Sequence, residues 1–232
     1  LFLDRAVILA AGVGSRLRWL TRGRPKALMP VAGTPVIIHL IRRLSAQGIH
    51  DIAINLHHHA DQMREVLGDG SRFGVRLYFS YEEHLLDSGG GVRKAMMLLP
   101  GNGWFAVHNA DVLSDIDVRD LAGFAGACGA RACLALVANP SHHPDGDYGL
   151  QNDLVVPKEE GLPAYTYAGV AAMHESVLSG YKPDVPFPLK DVFSDLQKRG
   201  ELCGKLHHGM WMDIGRPRDW LNASRLLGAH EF

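Results

Sequence analysis

Two glycines, an arginine and a lysine carry the chemistry that this 232-residue sequence offers first. They lie in Ala10-Ala11-Gly12-Val13-Gly14-Ser15-Arg16-Leu17 and in Arg24-Pro25-Lys26, directly after the apolar run Ala6-Val7-Ile8-Leu9. Glycine lacks a Cβ and tolerates positive φ, so Gly12 and Gly14 let the backbone turn tightly and bring N–H groups up to a ligand. Between Arg5 and His50 there is no Asp or Glu, whereas Arg5, Arg16, Arg18, Arg22, Arg24, Lys26, Arg42 and Arg43 all fall there. Guanidinium forks match phosphate oxygens and a lysine acts as a point charge, so a polyphosphate suits this stretch. Asn109-Ala110-Asp111 follows a second apolar run, Trp104-Phe105-Ala106-Val107-His108. An aspartate there can reach a divalent cation, since magnesium takes one or two carboxylates plus substrate phosphates, or it can cap a helix. A further isolated aspartate stands in Trp211-Met212-Asp213-Ile214-Gly215.

A second glycine cluster, Asp87-Ser88-Gly89-Gly90-Gly91-Val92, reads as a loop opening a helix, with Ser88 as its cap. Bare backbone of this kind suits a flat nucleobase. Two common phosphate-binding patterns are excluded. Gly12-Val13-Gly14-Ser15-Arg16 lacks the third glycine of a dinucleotide-binding fold, and Gly-Lys-Ser/Thr is absent. The histidine pairs and triplet, His57-His58-His59, His142-His143 and His207-His208, lack the i, i+4 spacing of a zinc helix and read as solvated or capping residues.

The elements that must position these residues follow from periodicity. Ala6–Leu9, Asp51–Leu56, Val75–Ser80, Trp104–His108, Ala132–Val137, Ala164–Met173 and Leu202–His207 read as strands. Helices are expected from Pro35, with Thr34 as N-cap, to Gly48, and over 60–67, 117–128, 188–198 and 217–227. Gln151 to Gly161 reads as a short hairpin, and 139–147 as a rim over the pocket. Gly169 marks a bulge or a close ligand approach. The alternation predicts an α/β fold with a mostly parallel, Rossmann-like sheet, helices on both faces, and one domain spanning 1–232.

With 24 basic and 25 acidic residues the chain is near neutral, which argues against nucleic acid or a membrane surface as partner. No apolar stretch is long enough for a membrane span, no signal-peptide pattern opens the chain, and Cys128, Cys133 and Cys203 show no CxxC pairing. A cytoplasmic protein with reduced thiols is expected.

Taken together, LAAGVGSRLRWLTRGRPKALMPVAGTP, Asn109-Ala110-Asp111 and Trp211-Met212-Asp213-Ile214-Gly215 resemble the three ordered motifs of the sugar-1-phosphate nucleotidyltransferases. Leu67–Gly74, Ser88–Gly91, Asn139–His143 and Gly146-Asp147 are most similar to the compact bacterial N-acetylmuramate 1-phosphate uridylyltransferases, which lack the C-terminal β-helix of larger relatives. The resemblance implies the nucleotide-diphospho-sugar transferase fold, UTP and a sugar 1-phosphate as partners, Mg²⁺ as cofactor, and a monomer or homodimer. It places the nucleotide on Ala10, Ala11, Gly12, Gly14, Ser15, Arg16, Asn55, Ser88, Gly89 and Gly90, and the metal on Asp111 and Asp213. Arg16 would hold the triphosphate and Lys26 would act on the α-phosphate, with the sugar near Asp147, Gly169 and Lys190. Trp19 stands where the family usually has proline, and the family's Glu-Lys pair for the sugar phosphate has no match, which leaves Lys158 or Lys190 for that role. Transfer from dTTP or GTP to glucose or mannose 1-phosphate, and a non-catalytic nucleotide sensor, are the alternative readings.

Overall fold

A computed structural model of the chain describes residues 2–12 and 23–229. The chain runs β1 (Arg5–Leu9), β2 (Pro30–Val31), β3 (Thr34–Pro35), α1 (Val36–Ala46), β4 (Asp51–Leu56), α2 (Ala60–Leu67), β5 (Arg76–Tyr81), α3 (Asp87–Met96) and β6 (Trp104–Asn109). It continues through β7 (Val112–Ser114), α4 (Val118–Ala127), β8 (Ala132–Val137), β9 (Tyr148–Gln151), β10 (Leu154–Val156) and β11 (Ala164–His174). The last elements are α5 (Leu189–Lys198), β12 (Leu202–Leu206), β13 (Trp211–Asp213) and α6 (Pro217–Ala229). Among the described residues no helix is long and apolar enough to cross a membrane.

One nine-stranded sheet, ordered β5-β4-β1-β6-β11-β8-β12-β10-β9, forms the frame. The block β5-β4-β1-β6 is parallel throughout, as is β8 with β12. β11 lies between the two blocks, antiparallel to both β6 and β8. Side chains alternate across the strands, so two cores form. Ala6, Ile8, Ile52, Ile54 and Ala106 face α1, α2 and α4, while Val7, Ala53, Phe105 and Val107 face α3 and α5. Each fully buried Ile or Phe contributes roughly 1.5–3 kcal/mol relative to exposure, and this double layer fixes the strand ends where the parallel block opens.

Three local expectations change. Thr34 and Pro35 form a two-residue strand instead of a cap and first turn, so α1 begins at Val36. The hairpin falls earlier, β9 and β10 turning at Asn152 and Asp153, both with positive φ. Gly89, Gly90 and Gly91 lie inside α3, not in a loop, and Ser88 is helical too. Glycine costs about 1 kcal/mol relative to alanine within a helix, so something must require it. A Cβ at Gly89 would stand 2.4 Å from the Phe187 ring, at Gly90 2.6 Å from the Val185 carbonyl, and at Gly91 2.5 Å from Asn55 Nδ2. The glycines allow the helix to lie against backbone and a buried amide.

His108 is buried in β6, and its Nδ1–H donates to the Asn109 carbonyl at 2.9 Å. Burial pushes its pKa down to about 4. The unfolded chain therefore binds a proton at this site between its ordinary 6.5 and about 4, and the folded chain does not. Stability is complete above pH 6.5 and falls as pH is lowered through that window, by up to about 3 kcal/mol. Urea unfolding of His108→Gln across this range is expected to show a slope reduced by about one proton relative to wild type.

Candidate functional site

The C-terminal ends of β1, β4 and β6 open onto a cavity of about 680 Å³, the place where ligands bind in open α/β sheets. Its floor is Leu9, Ala10, Ala11 and Gly12, continued by Asn55 and by Asn109, Ala110 and Asp111. Leu85, Asp87 and Ser88 form one side, Pro186 the facing lip, and Lys26 and Ala27 the end. The lip is held in place: Phe187 accepts from the Gly89 and Gly90 N–H groups at 2.9 and 3.1 Å, its own N–H donates to Leu86, and Lys94 meets Asp184 at 2.8 Å.

A second cavity, about 350 Å³, adjoins the first and shares Asn109 and Asp111 with it. Its walls are Pro140, His142, His143 and Asp147 from the rim, Thr166 to Gly169 from β11, and Trp211, Asp213 and Arg216. The rim is stapled by its own polar groups. Asp147 accepts from the Tyr167 N–H at 2.8 Å and pairs with His143 at 2.9 Å. Asn139 accepts from Thr166 and donates to the Pro144 and Ala164 carbonyls, each at 2.9 Å. The β11 register shifts between Tyr167 and Ala171. Gly169, at φ +75°, lies there against Asn109, where a Cβ would come within 2.7 Å of Nδ2.

Asp111 and Asp213 are brought together by a short ribbon. β7 pairs with β13, placing Asp213 opposite Val112, and the Ile214 N–H donates to the Asp111 carbonyl at 2.8 Å. Lys26 Nζ donates to Asp111 Oδ2 at 2.5 Å. The lysine is fixed by its neighbours, since Ala27 and Leu28 bury themselves in the first core. Burial, and then the negative charge of Asp111, hold the Asp213 carboxyl above the usual carboxylate range, with Lys26 and His142 opposing. Two carboxylates repelling each other beside a polyphosphate-sized cavity fit a divalent cation, whose charge would remove that repulsion.

Lys26, Ala10, Ala11, Gly12, Asn55, Ser88 and Asp111 thus line the larger cavity, and Asp111, Asp147, Gly169 and Asp213 the smaller one. Gly14, Ser15, Arg16 and Trp19 lie outside the described residues. Gly89 and Gly90 point their Cα hydrogens at the 185–187 segment and line neither cavity. Lys158 donates to the Gly146 carbonyl at 2.9 Å beneath the rim, and Lys190 stands exposed in the first turn of α5; neither lines a cavity. Glu82 and Arg216 do, and motif spacing overlooked both. The signal for Arg216 was its place three residues after Asp213.

A folded-state pKa raised in an acid means that charged Asp213 opposes folding once pH rises past its ordinary range. In buffer containing a chelator at pH 7, Asp213→Asn is expected to raise the thermal midpoint. A midpoint below wild type would show that the carboxylate is held by attractive contacts instead.

Comparison with known proteins gives a consistent result. A family model described as nucleotidyl transferase matches residues 5–153. An N-acetylmuramate α-1-phosphate uridylyltransferase of Neisseria meningitidis is 37% identical over 97% of this chain and 99% of its own length. Its counterpart in Caulobacter vibrioides is 33% identical over 96% of each chain. A mannose-1-phosphate guanyltransferase of Gibberella zeae is 30% identical over 96% of this chain but 64% of its own. Among solved structures, a proposed glucose-1-phosphate thymidylyltransferase of Bacillus anthracis superposes with a TM-score of 0.85 at 24% identity, covering 100% of this chain and 97% of that one. That last likeness is one of fold.

Proposed function

We propose, since the chain belongs to the nucleotidyl transferase family, that it transfers UMP from UTP to a sugar 1-phosphate, releasing pyrophosphate, with N-acetylmuramate 1-phosphate as the sugar. One observation carries the reading: two cavities of unequal size meet at Asn109 and Asp111, with Lys26 on Asp111 at their junction. The larger takes the nucleotide, its base against Leu85 and Pro186 and its phosphates toward Gly12 and Lys26. The smaller takes the sugar, so the sugar phosphate reaches the α-phosphorus where the cavities join.

The sugar phosphate is ionised near neutral pH, so its oxygen can attack α-phosphorus without a general base. The new P–O bond forms as the bond to the leaving pyrophosphate breaks. Catalysis then rests on alignment and on charge neutralisation. Lys26 gives up its contact with Asp111 to meet the α-phosphate, and Arg16 neutralises the triphosphate. Asp111 and Asp213 would hold Mg²⁺, which when bound offsets negative charge on the phosphate oxygens.

Substrate choice falls to a few contacts. Arg216 is the one Lys or Arg among the described residues of the smaller cavity, and N-acetylmuramate carries a carboxylate that other common hexosamine phosphates lack. A guanidinium fork matches a carboxylate. The Arg216→Gln protein is expected to show a KM for N-acetylmuramate 1-phosphate raised about tenfold, with that for N-acetylglucosamine 1-phosphate changed less than about twofold.

The assignment itself is tested by following pyrophosphate with each of four nucleoside triphosphates and a panel of sugar 1-phosphates in the presence of Mg²⁺. UTP with N-acetylmuramate 1-phosphate is expected to turn over fastest, and Lys26→Ala or Asp111→Ala to lower that rate by roughly 10²-fold or more. Faster turnover of GTP with mannose 1-phosphate, or dTTP with glucose 1-phosphate, would replace the substrates. Binding without turnover would make the chain a nucleotide sensor.

A further inference from the structure

Glu82 is a buried carboxylate whose side chain forms no ion pair among the described residues, and the chemistry above makes no use of it. It sits just beyond β5 at 1% exposure, in the wall of the larger cavity. Its Oε1 accepts from Asn55 Nδ2 at 2.8 Å and its Oε2 from the Leu86 N–H at 3.0 Å. Asn55, also buried, accepts with Oδ1 from the Ala10 N–H at 2.6 Å and from the Ala11 N–H at 3.3 Å. Hydrogen bonds from the entry of α3 and, through Asn55, from the start of the glycine loop therefore converge on the Glu82 carboxylate.

We infer that Glu82 is a positioning residue for the nucleotide: it locks the Asn55 amide in the orientation that holds Ala10 and Ala11 at the cavity floor. Backbone N–H groups only donate, so Ala10 and Ala11 demand the amide oxygen, and the Asn55 NH₂ must find an acceptor on its other side. Leu86 N–H needs one as well. Only a carboxylate offers an acceptor to both; a glutamine would set its own NH₂ against one of the two donors. If Asn55 turned to escape, its NH₂ would meet the Ala10 N–H. Gly91 shows how closely the pair is packed, since a Cβ there would stand 2.5 Å from Asn55 Nδ2 and 2.7 Å from Glu82 Oε1. With Asn55 at 3% and Glu82 at 1% exposure, the polar groups of the pair are satisfied by each other and by their backbone donors.

The inference rests on the larger cavity being the nucleotide site. Its test uses, of UTP, GTP, dTTP and CTP, the one that wild-type protein binds tightest in calorimetric titration. A wrong choice of base thus overturns the reading above and leaves this test intact. The Glu82→Gln protein is expected to bind that nucleotide about tenfold more weakly, with the KM for the sugar phosphate changed less than about twofold. The double variant Asn55→Asp with Glu82→Gln restores every one of these bonds. Its new amide accepts from Leu86 and donates to the new carboxylate, which in turn accepts from Ala10 and Ala11. It is expected to bind at least about threefold more tightly than Glu82→Gln alone. Unchanged nucleotide affinity in Glu82→Gln, equal losses for both substrates, or a double variant no tighter than the single one would overturn the inference.

Discussion

The site depends on holding the Asp213 carboxylate where burial and the negative charge of Asp111 disfavour its ionised form. Asp111, just before β7, stands at the junction of the cavities and Asp213, at the end of β13, lines the smaller one, and the carbonyl of Asp111 is itself tied to Ile214. A charge pair of like sign persists only when the backbone leaves it no alternative. Here the backbone is fixed by buried neighbours, since Val112, Leu113 and Ile214 all lie within the apolar interior. Lys26 then supplies partial compensation, and the cavity beside it is where further positive and negative charges can enter together.

Around that junction the fold divides its labour. The parallel block gives strand ends converging on the larger cavity, as expected where backbone groups must approach a ligand. The antiparallel β11 gives the smaller cavity a wall, where the Tyr167 N–H donates to Asp147 and holds its rim. The two halves of the site thus use different sheet chemistry. One presents bare turns; the other presents side chains fastened to a loop.

Much of this was legible in the sequence because apolar periodicity and turn residues act locally. The run Ala6-Val7-Ile8-Leu9 and its glycines declared a strand end, and Asp111 and Asp213 followed recognisable apolar segments. What could not be read depends on distant chain. Gly89, Gly90 and Gly91 looked like a bed for a ring, yet they are dictated by Phe187, Val185 and Asn55, residues far away in sequence. Glu82 carries no motif because its meaning lies in donors supplied by Asn55 and Leu86. Lys158 was a reasonable candidate by charge alone, but a backbone carbonyl had already taken its ammonium. Local pattern reveals which residues can do chemistry, and tertiary contact decides which of them are free to do it.

The placement of β11 also sets an order of assembly. Ala164–His174 pairs with β6, β8 and β9, so the seam joining the two parallel blocks cannot close until His174 has left the ribosome. Residues 5–109 can by then have paired among themselves, exposing along β6 a raw strand edge that stays open while everything from β7 to β10 is synthesised. Closing that seam late is a non-local step of the kind that slows folding, and it makes the nascent chain most vulnerable to wrong pairing just before its central strand arrives.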